Sequence, residues 1–190
     1  MTLLRVFSEN GEALSSHIDT AEITAELKEL NVGFERWTAT AELSANADQE
    51  EVLAAYRDDV DRISAEGGYQ LVDVVRLRPD PDNEEWVATA RAARQKFLNE
   101  HTHDEDEVRF FVEGRGCFYL HLGDKVYAVV CETGDLLSVP QGTTHWFDMG
   151  ATPSFCAIRF FQEEDGWVGN FTGNDIATRI PYLDELLATA

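Results

Sequence analysis

The sequence predicts a mainly β protein with α additions: a small antiparallel barrel or sandwich with a helical and mixed N-terminal region packed around it. Two observations carry this reading. From about Val108, six short runs rich in β-branched and aromatic residues (VRFFVEG, GCFYLHL, KVYAVVCE, DLLSVP, THWFDM and FCAIRFF) follow one another, divided by Gly, Asp and Pro turns. Ahead of them lie three amphipathic segments, each opening on a capping-type Asp or Asn with acids in its first turn.

In chain order, LLRVF (Leu3 to Phe7) reads as extended, and DTAEITAELKEL after Asp19 as a helix. FERWTA (Phe34 to Ala39) is a second extended candidate, followed by one helix from Asp48 through DQEEVLAAYRDDVDRISAEGG. YQLVDVVRL (Tyr69 to Leu77) is extended again. NEEWVATARAARQKFL from Asn83 is helical, with Trp86, Ala90, Ala93 and Phe97 along one face that must pack on something. His121-Leu-Gly-Asp-Lys125 supplies a hairpin signal inside the β region. No repeat or linker interrupts the chain. It reads as a single domain spanning residues 1–190, with a helical and mixed N-terminal region (residues 1–97), a barrel core (residues 98–170) and a C-terminal extension (residues 171–190).

A formal charge of −21 makes the molecule repel phosphate backbones and anionic lipid, so neither nucleic acid nor a membrane surface is expected as a partner. The charge also opposes self-association and favours a monomer. No leader-like segment opens MTLLRVFSENGEAL and no run reaches membrane-spanning length, which gives a cytoplasmic expectation. Cys117, Cys131 and Cys156 lie in apolar, strand-like segments without C-x-x-C spacing, and read as buried free thiols.

The chemistry concentrates in HTHDEDEVRFFVEG, His101 to Gly114. In a helix, His101 and His103 would point about 200° apart, whereas in an extended segment residues of equal parity share a face. His101, His103, Glu107 and Arg109 are all odd. A regular strand therefore presents two imidazoles, a carboxylate and a guanidinium to one side, the lumen of a barrel, and a bulge among the acids would shift that register. Such a mixed N/O set suits Fe(II), Ni(II), Mn(II) or Zn(II) and not Ca(II). A fourth ligand, His145, follows in GDLLSVPQGTTHWFDM, where a Pro-x-Gly turn leads into the next strand and leaves His145 facing inward with Phe147. Asp104 and Asp106 have the wrong parity for ligands, and His17 and His121 read as surface polar residues.

Taken together, H-x-H-x-x-x-E with Gly114 beyond it, then G-x-x-x-x-x-P-x-G-x-x-H, resembles the two paired motifs of the cupin superfamily, which implies a double-stranded β-helix barrel with one metal in its mouth. Gln95 stands where the first motif usually opens with Gly, and Met149 where the second often ends with Asn. More narrowly, KFLNEHTHDEDEVRFFVEG, GDLLSVPQGTTHWFD and AIRFFQEEDGW are similar to the acireductone dioxygenase family over nearly the whole chain. The resemblance implies that His101, His103, Glu107 and His145 hold one Fe(II) or Ni(II) per chain, and that Arg109 stabilises an ionised enediol substrate.

The same resemblance places Phe97, Phe110, Phe147, Arg159 and Trp167 around the substrate pocket. Arg159, in an otherwise apolar strand, needs an anionic partner, either substrate or a scaffold carboxylate. The implied reaction is oxidation of 1,2-dihydroxy-5-methylthiopent-1-en-3-one by O2 in methionine salvage. An Fe(II) form would give 4-methylthio-2-oxobutanoate and formate, and a Ni(II) form methylthiopropanoate, formate and CO. Other cupin dioxygenases or isomerases, and non-catalytic metal-binding cupins, share the ligand set and stay open as alternatives.

Overall fold

The computed structural model describes residues 1–38, 43–44, 46–163 and 168–189. Along the chain run β1 (Leu3–Ser8), β2 (Ala13–His17), α1 (Thr20–Glu29), β3 (Gly33–Arg36), α2 (Gln49–Ala55), α3 (Arg57–Gly67), β4 (Leu71–Leu77) and α4 (Glu84–Phe97). There follow β5 (His101–Thr102), β6 (Glu107–Leu122), β7 (Lys125–Glu132), β8 (Asp135–Val139), β9 (Thr144–Asp148), β10 (Phe155–Phe161), β11 (Asn170–Phe171) and α5 (Leu183–Ala188).

The capping residues seen in the sequence set the helix starts. The Asp19 carboxylate accepts from the backbone N–H groups of Ala21 and Glu22, Asp48 forms a capping box with Glu51, and Asn83 accepts from Glu85 and Trp86. The single helix expected from Asp48 is two, broken at Tyr56. Tyr56 is neither Gly nor Pro, so the break carries no sequence signal; its ring is buried edge-on to Phe110. Gly68, at φ +69°, ends α3 in the left-handed conformation that glycine adopts without penalty. Of the extended candidate FERWTA, β3 covers only the first residues, and its last residue, Ala39, lies outside the described residues.

β6 organises the barrel. Its first half pairs with β8 and β10, and its second half with β7 and β9, all antiparallel. One sheet therefore runs β11-β5-β9-β6-β7-β1-β2, and the other runs β4-β10-β6-β8-β3. The sheets cross the expected division at residue 97: β1 pairs with β7, β3 with β8 and β4 with β10, so strands of the N-terminal region extend the barrel walls. Two-residue closure at Gly123-Asp124 joins β6 to β7, with Gly123 at φ +66°.

A bulge lets one strand serve both sheets. Cys156 pairs with Glu113 but Ala157 with Phe111, leaving Val112 as the extra residue. The inward parity changes across it: Phe111 lies inside before it, and Phe118 and Leu120 after it. Two further apolar layers cover the outside, Val108, Phe110 and Phe160 beneath α2 and α3, and Tyr119 and Trp146 beneath α5. Gly114 turns the strand just past the bulge at φ +73°, and a Cβ there would sit 1.9 Å from the Ser154 carbonyl oxygen. Both the dihedral and the close approach exclude a side chain. Gly114→Ala is expected to lower unfolding free energy by roughly 2–4 kcal/mol, measured as a shifted urea midpoint at unchanged slope.

The three cysteines are buried and free. Among the described residues no helix is long and apolar enough to cross a membrane.

Candidate metal centre

Four side chains from three strands and one loop converge where the two sheets meet. His101 opens β5 and pairs across the ladder with His145 of β9; Glu107 begins β6; His103 sits in the connection between β5 and β6. Their candidate ligand atoms all lie within 4.8 Å of one another, and all four residues are buried. The segment 101–109 is not one regular strand: β5 ends at Thr102, and residues 103–106 form the connection to β6. Equal parity selects the right residues, yet the loop places His103.

The acids of that loop act as fasteners. One carboxylate oxygen of Glu105 accepts from the backbone N–H groups of Gln162 (2.5 Å) and Glu163 (3.1 Å), where the chain leaves β10. Asp106 accepts from the Gln141 N–H at 2.9 Å, and Gly142 N–H donates to the His103 carbonyl at 2.9 Å. The connection is thus tied to the Pro-x-Gly turn that delivers His145.

Each imidazole is oriented from behind by a backbone carbonyl. Nδ1 of His101 donates to Asn99 O at 2.7 Å, Nδ1 of His145 to Thr143 O at 2.7 Å, and Nδ1 of His103 to Val168 O. A carbonyl only accepts, so Nδ1 carries the hydrogen and Nε2 remains for the common point. Nε2 of His103 and of His145 lies 2.6 and 2.8 Å from the same Glu107 oxygen. The ring centroids of the three histidines are 4.6 to 5.0 Å apart.

Burial, with the neighbouring His145, brings His101 down to about 4, which keeps that ring neutral at physiological pH. His103 lies above the ordinary imidazole range: burial opposes its protonation, and the bond to Glu107 more than offsets this. Glu107 is held well below the usual carboxylate range, because Arg109 and the two imidazoles outweigh the burial that would raise it. Three imidazoles and one ionised carboxylate with preset tautomers fit a borderline transition ion such as Fe(II) or Ni(II).

Beside the donors lies a cavity of about 200 Å³. His101, Glu107, Arg109 and Arg159 line its charged end; Val75, Leu77, Phe111, Phe118, Phe147, Met149, Phe155 and Ala157 line the rest, with Ala93 and Phe97 contributed by α4. Arg109 is buried, its Nη2 2.7 Å from Glu107 and its Nη1 donating to Val108 O at 3.1 Å. Burial pulls this guanidinium below its usual range, against the opposing pull of Glu107.

Arg159 faces Arg109 across the β6–β10 ladder, and the guanidinium carbons of Arg159 and Arg109 lie 5.2 and 5.4 Å from the Phe161 ring centroid. The partner of Arg159 is a scaffold carboxylate: its Nε donates to Asp73 Oδ1 at 2.7 Å and its Nη2 to Oδ2, in a two-pronged pair.

Of the expected pocket residues, the structure places Phe97, Phe147 and Arg159 on the cavity wall. Phe110 is a correction. Even-numbered residues before the bulge face outward, so its ring packs against Trp37 (centroids 4.2 Å apart) and Tyr56, away from the cavity. Trp167 lies outside the described residues. His121 is a second correction: its side chain is only 12% exposed, because β6 carries it across the α4–β5 junction between Glu100 and Glu9. Phe111, Phe118 and Phe155 line the wall with no motif to mark them. Strand alternation from Arg159 points to Phe155, whereas Phe118 lies beyond the bulge that inverts the parity.

The sequence pattern of the ARD/ARD' family matches residues 4–169. The chain is 59% identical over 189 residues to acireductone dioxygenase 1 of Nocardia farcinica (strain IFM 10152), covering 98% of this chain and 100% of that protein. It is 57% identical over 186 residues to the acireductone dioxygenase of Parvibaculum lavamentivorans, covering 97% and 98% of the two chains. Among solved structures, the acireductone dioxygenase from Bacillus anthracis with a cadmium ion in its active center superposes with a TM-score of 0.76. It is 28% identical, and the match covers 90% of this chain and 98% of that one.

Proposed function

The chain belongs to the ARD/ARD' family, the acireductone dioxygenases, and from this premise we propose how its residues divide the work. It is a metal-dependent dioxygenase of the cupin fold that cleaves acireductone, 1,2-dihydroxy-5-methylthiopent-1-en-3-one, with O2 in methionine salvage. The Fe form releases 4-methylthio-2-oxobutanoate and formate; the Ni form releases methylthiopropanoate, formate and CO.

The observation that carries the assignment of roles is that four buried donors cluster at one point, and that two of them, His101 and Glu107, line a cavity with one charged and one apolar end. His101, His103, Glu107 and His145 would hold the ion. When bound, Fe(II) or Ni(II) supplies a Lewis acid that favours the ionised enediol and orients it. Arg109 offers a fixed cation beside the donors, with Glu107 holding the guanidinium in place, so it stabilises the oxyanion of the substrate without having to reorganise. Phe97 and Phe147 give the methylthio tail an apolar wall and keep water from the reacting end. Arg159, engaged by Asp73, lines the same end as a second positive face. Phe110 takes no role in the pocket, and for Trp167 a place there rests on the family resemblance alone.

Separate buried thiols support a cytoplasmic location, and the net charge of −21 supports a monomer. Anaerobic mixing of metal-loaded protein with acireductone, followed by a pulse of O2, tests these roles together. Stoichiometric O2 uptake is expected, with products that switch on exchanging Fe(II) for Ni(II). Metal-replete protein that leaves acireductone and O2 unconsumed beyond the metal-free rate would discard them.

A further inference from the structure

Glu100 is a buried acid that stands apart from the donors and the cavity. It is 3% exposed and immediately precedes His101, yet it does not join the donor cluster. Its Oε2 meets Nδ1 of His121 at 2.7 Å, and its Oε1 accepts from the Thr172 hydroxyl at 2.6 Å. The Glu100 carbonyl also accepts from the Thr172 N–H at 3.0 Å. One residue therefore fastens both the side chain and the backbone of Thr172.

Thr172 directly follows β11, a strand of two residues that, among the described residues, pairs only with β5. So short a strand has little hold of its own, and its Phe171 is half exposed. This same short segment reaches two of the metal-binding histidines. Phe171 pairs with His101 and sets its ring edge-on to that imidazole, with centroids 5.7 Å apart; a few residues earlier, the Val168 carbonyl receives the Nδ1 hydrogen of His103. Whatever holds β11 in place thus holds the strand partner and ring contact of His101 and the carbonyl behind His103.

We propose that Glu100 is a positioning residue for the metal centre: through Thr172, with His121 fixing its second oxygen, it latches β11 across the backs of His101 and His103 and so sets how tightly the ion is held. The Glu100 carboxylate touches neither the ion nor the substrate. Glu9 provides a matched comparison, since it meets the other ring nitrogen of His121 at 3.1 Å from a half-exposed position and makes no bond to Thr172.

The inference rests on the metal centre proposed above, and Ni(II) titration of the wild-type protein by chelator competition keeps the two separable: no binding by the wild type sinks the centre itself. Given wild-type binding, Glu100→Ala is expected to weaken Ni(II) by about 10- to 100-fold, the range for partners that orient ligands. Thr172→Val should weaken it in the same direction, and the double variant by less than the product of the two. Glu100→Gln, which keeps an oxygen for Thr172, should recover most of the loss. Amide hydrogen exchange at Phe171 and Thr172 should quicken in the alanine variant, while Glu9→Ala leaves Ni(II) affinity within about threefold of wild type.

Wild-type affinity in folded Glu100→Ala, an equal loss in Glu9→Ala, or a strictly multiplicative double variant would each overturn the latch. If Glu100→Ala fails to fold, Thr172→Val alone decides: weakened Ni(II) with faster exchange at β11 supports the proposal, and unchanged Ni(II) overturns it.

Discussion

His103→Ala is expected to lose metal and turnover together. The imidazole supplies one of four donors and is the only one of them carried by a loop, between β5 and β6. Removing a partner behind a ligand already weakens metal by roughly 10–100-fold, and removing the ligand itself should exceed that. Elemental analysis after dialysis against a weak chelator should find little bound metal, and O2 consumption should fall to the metal-free rate. Circular dichroism should stay close to wild type, because Glu105 and Asp106 keep their own bonds to residues 162, 163 and 141. Retained metal with retained turnover would remove His103 from the donor set.

Arg109→Ala should separate what His103→Ala merges. The guanidinium contacts Glu107 and lines the cavity, but it is no metal donor. Metal content is expected near one ion per chain, while kcat/KM falls by about 10²–10³-fold, the usual cost of removing one fixed donor aimed at developing negative charge. Lysine should restore only a fraction, being a point charge without the planar fork that Arg109 uses to reach both Glu107 and the Val108 carbonyl. Equal loss of metal in Arg109→Ala and His103→Ala would make Arg109 a structural residue whose main task is to hold Glu107.

The donor set is readable from the sequence because two short-range regularities suffice. H-x-H-x-x-x-E keeps its residues within one short stretch from β5 to the start of β6, and the Pro-x-Gly turn fixes where β9 begins. The β runs after Val108 are readable for a similar reason, each being bounded by its own turn residues. What escapes depends on distant partners. Asp73 as the counterion of Arg159 requires β4 to lie beside β10, and nothing local in YQLVDVVRL announces that neighbour. Phe110 resists placement because parity cannot say which face of a strand is the lumen until both coverings are known; Trp37 and Tyr56, far away in the chain, decide it. Likewise no motif marks Glu100, and only the approach of His121 on β6 and Thr172 after β11 gives it a role.

The cavity's uneven lining has a consequence for how a guest can sit. A molecule that is an ionisable head at one end and a thioether at the other has a single admissible heading. Reversed, it would strand an oxyanion among Phe118, Phe155 and Leu77 and press its greasy end on two guanidinium groups. Unmet burial of a charge is costly enough to make that pose rare. The wall therefore acts as a compass: the guest's heading is settled at docking, before any bond is broken, and the choice between the two product sets is left to the metal.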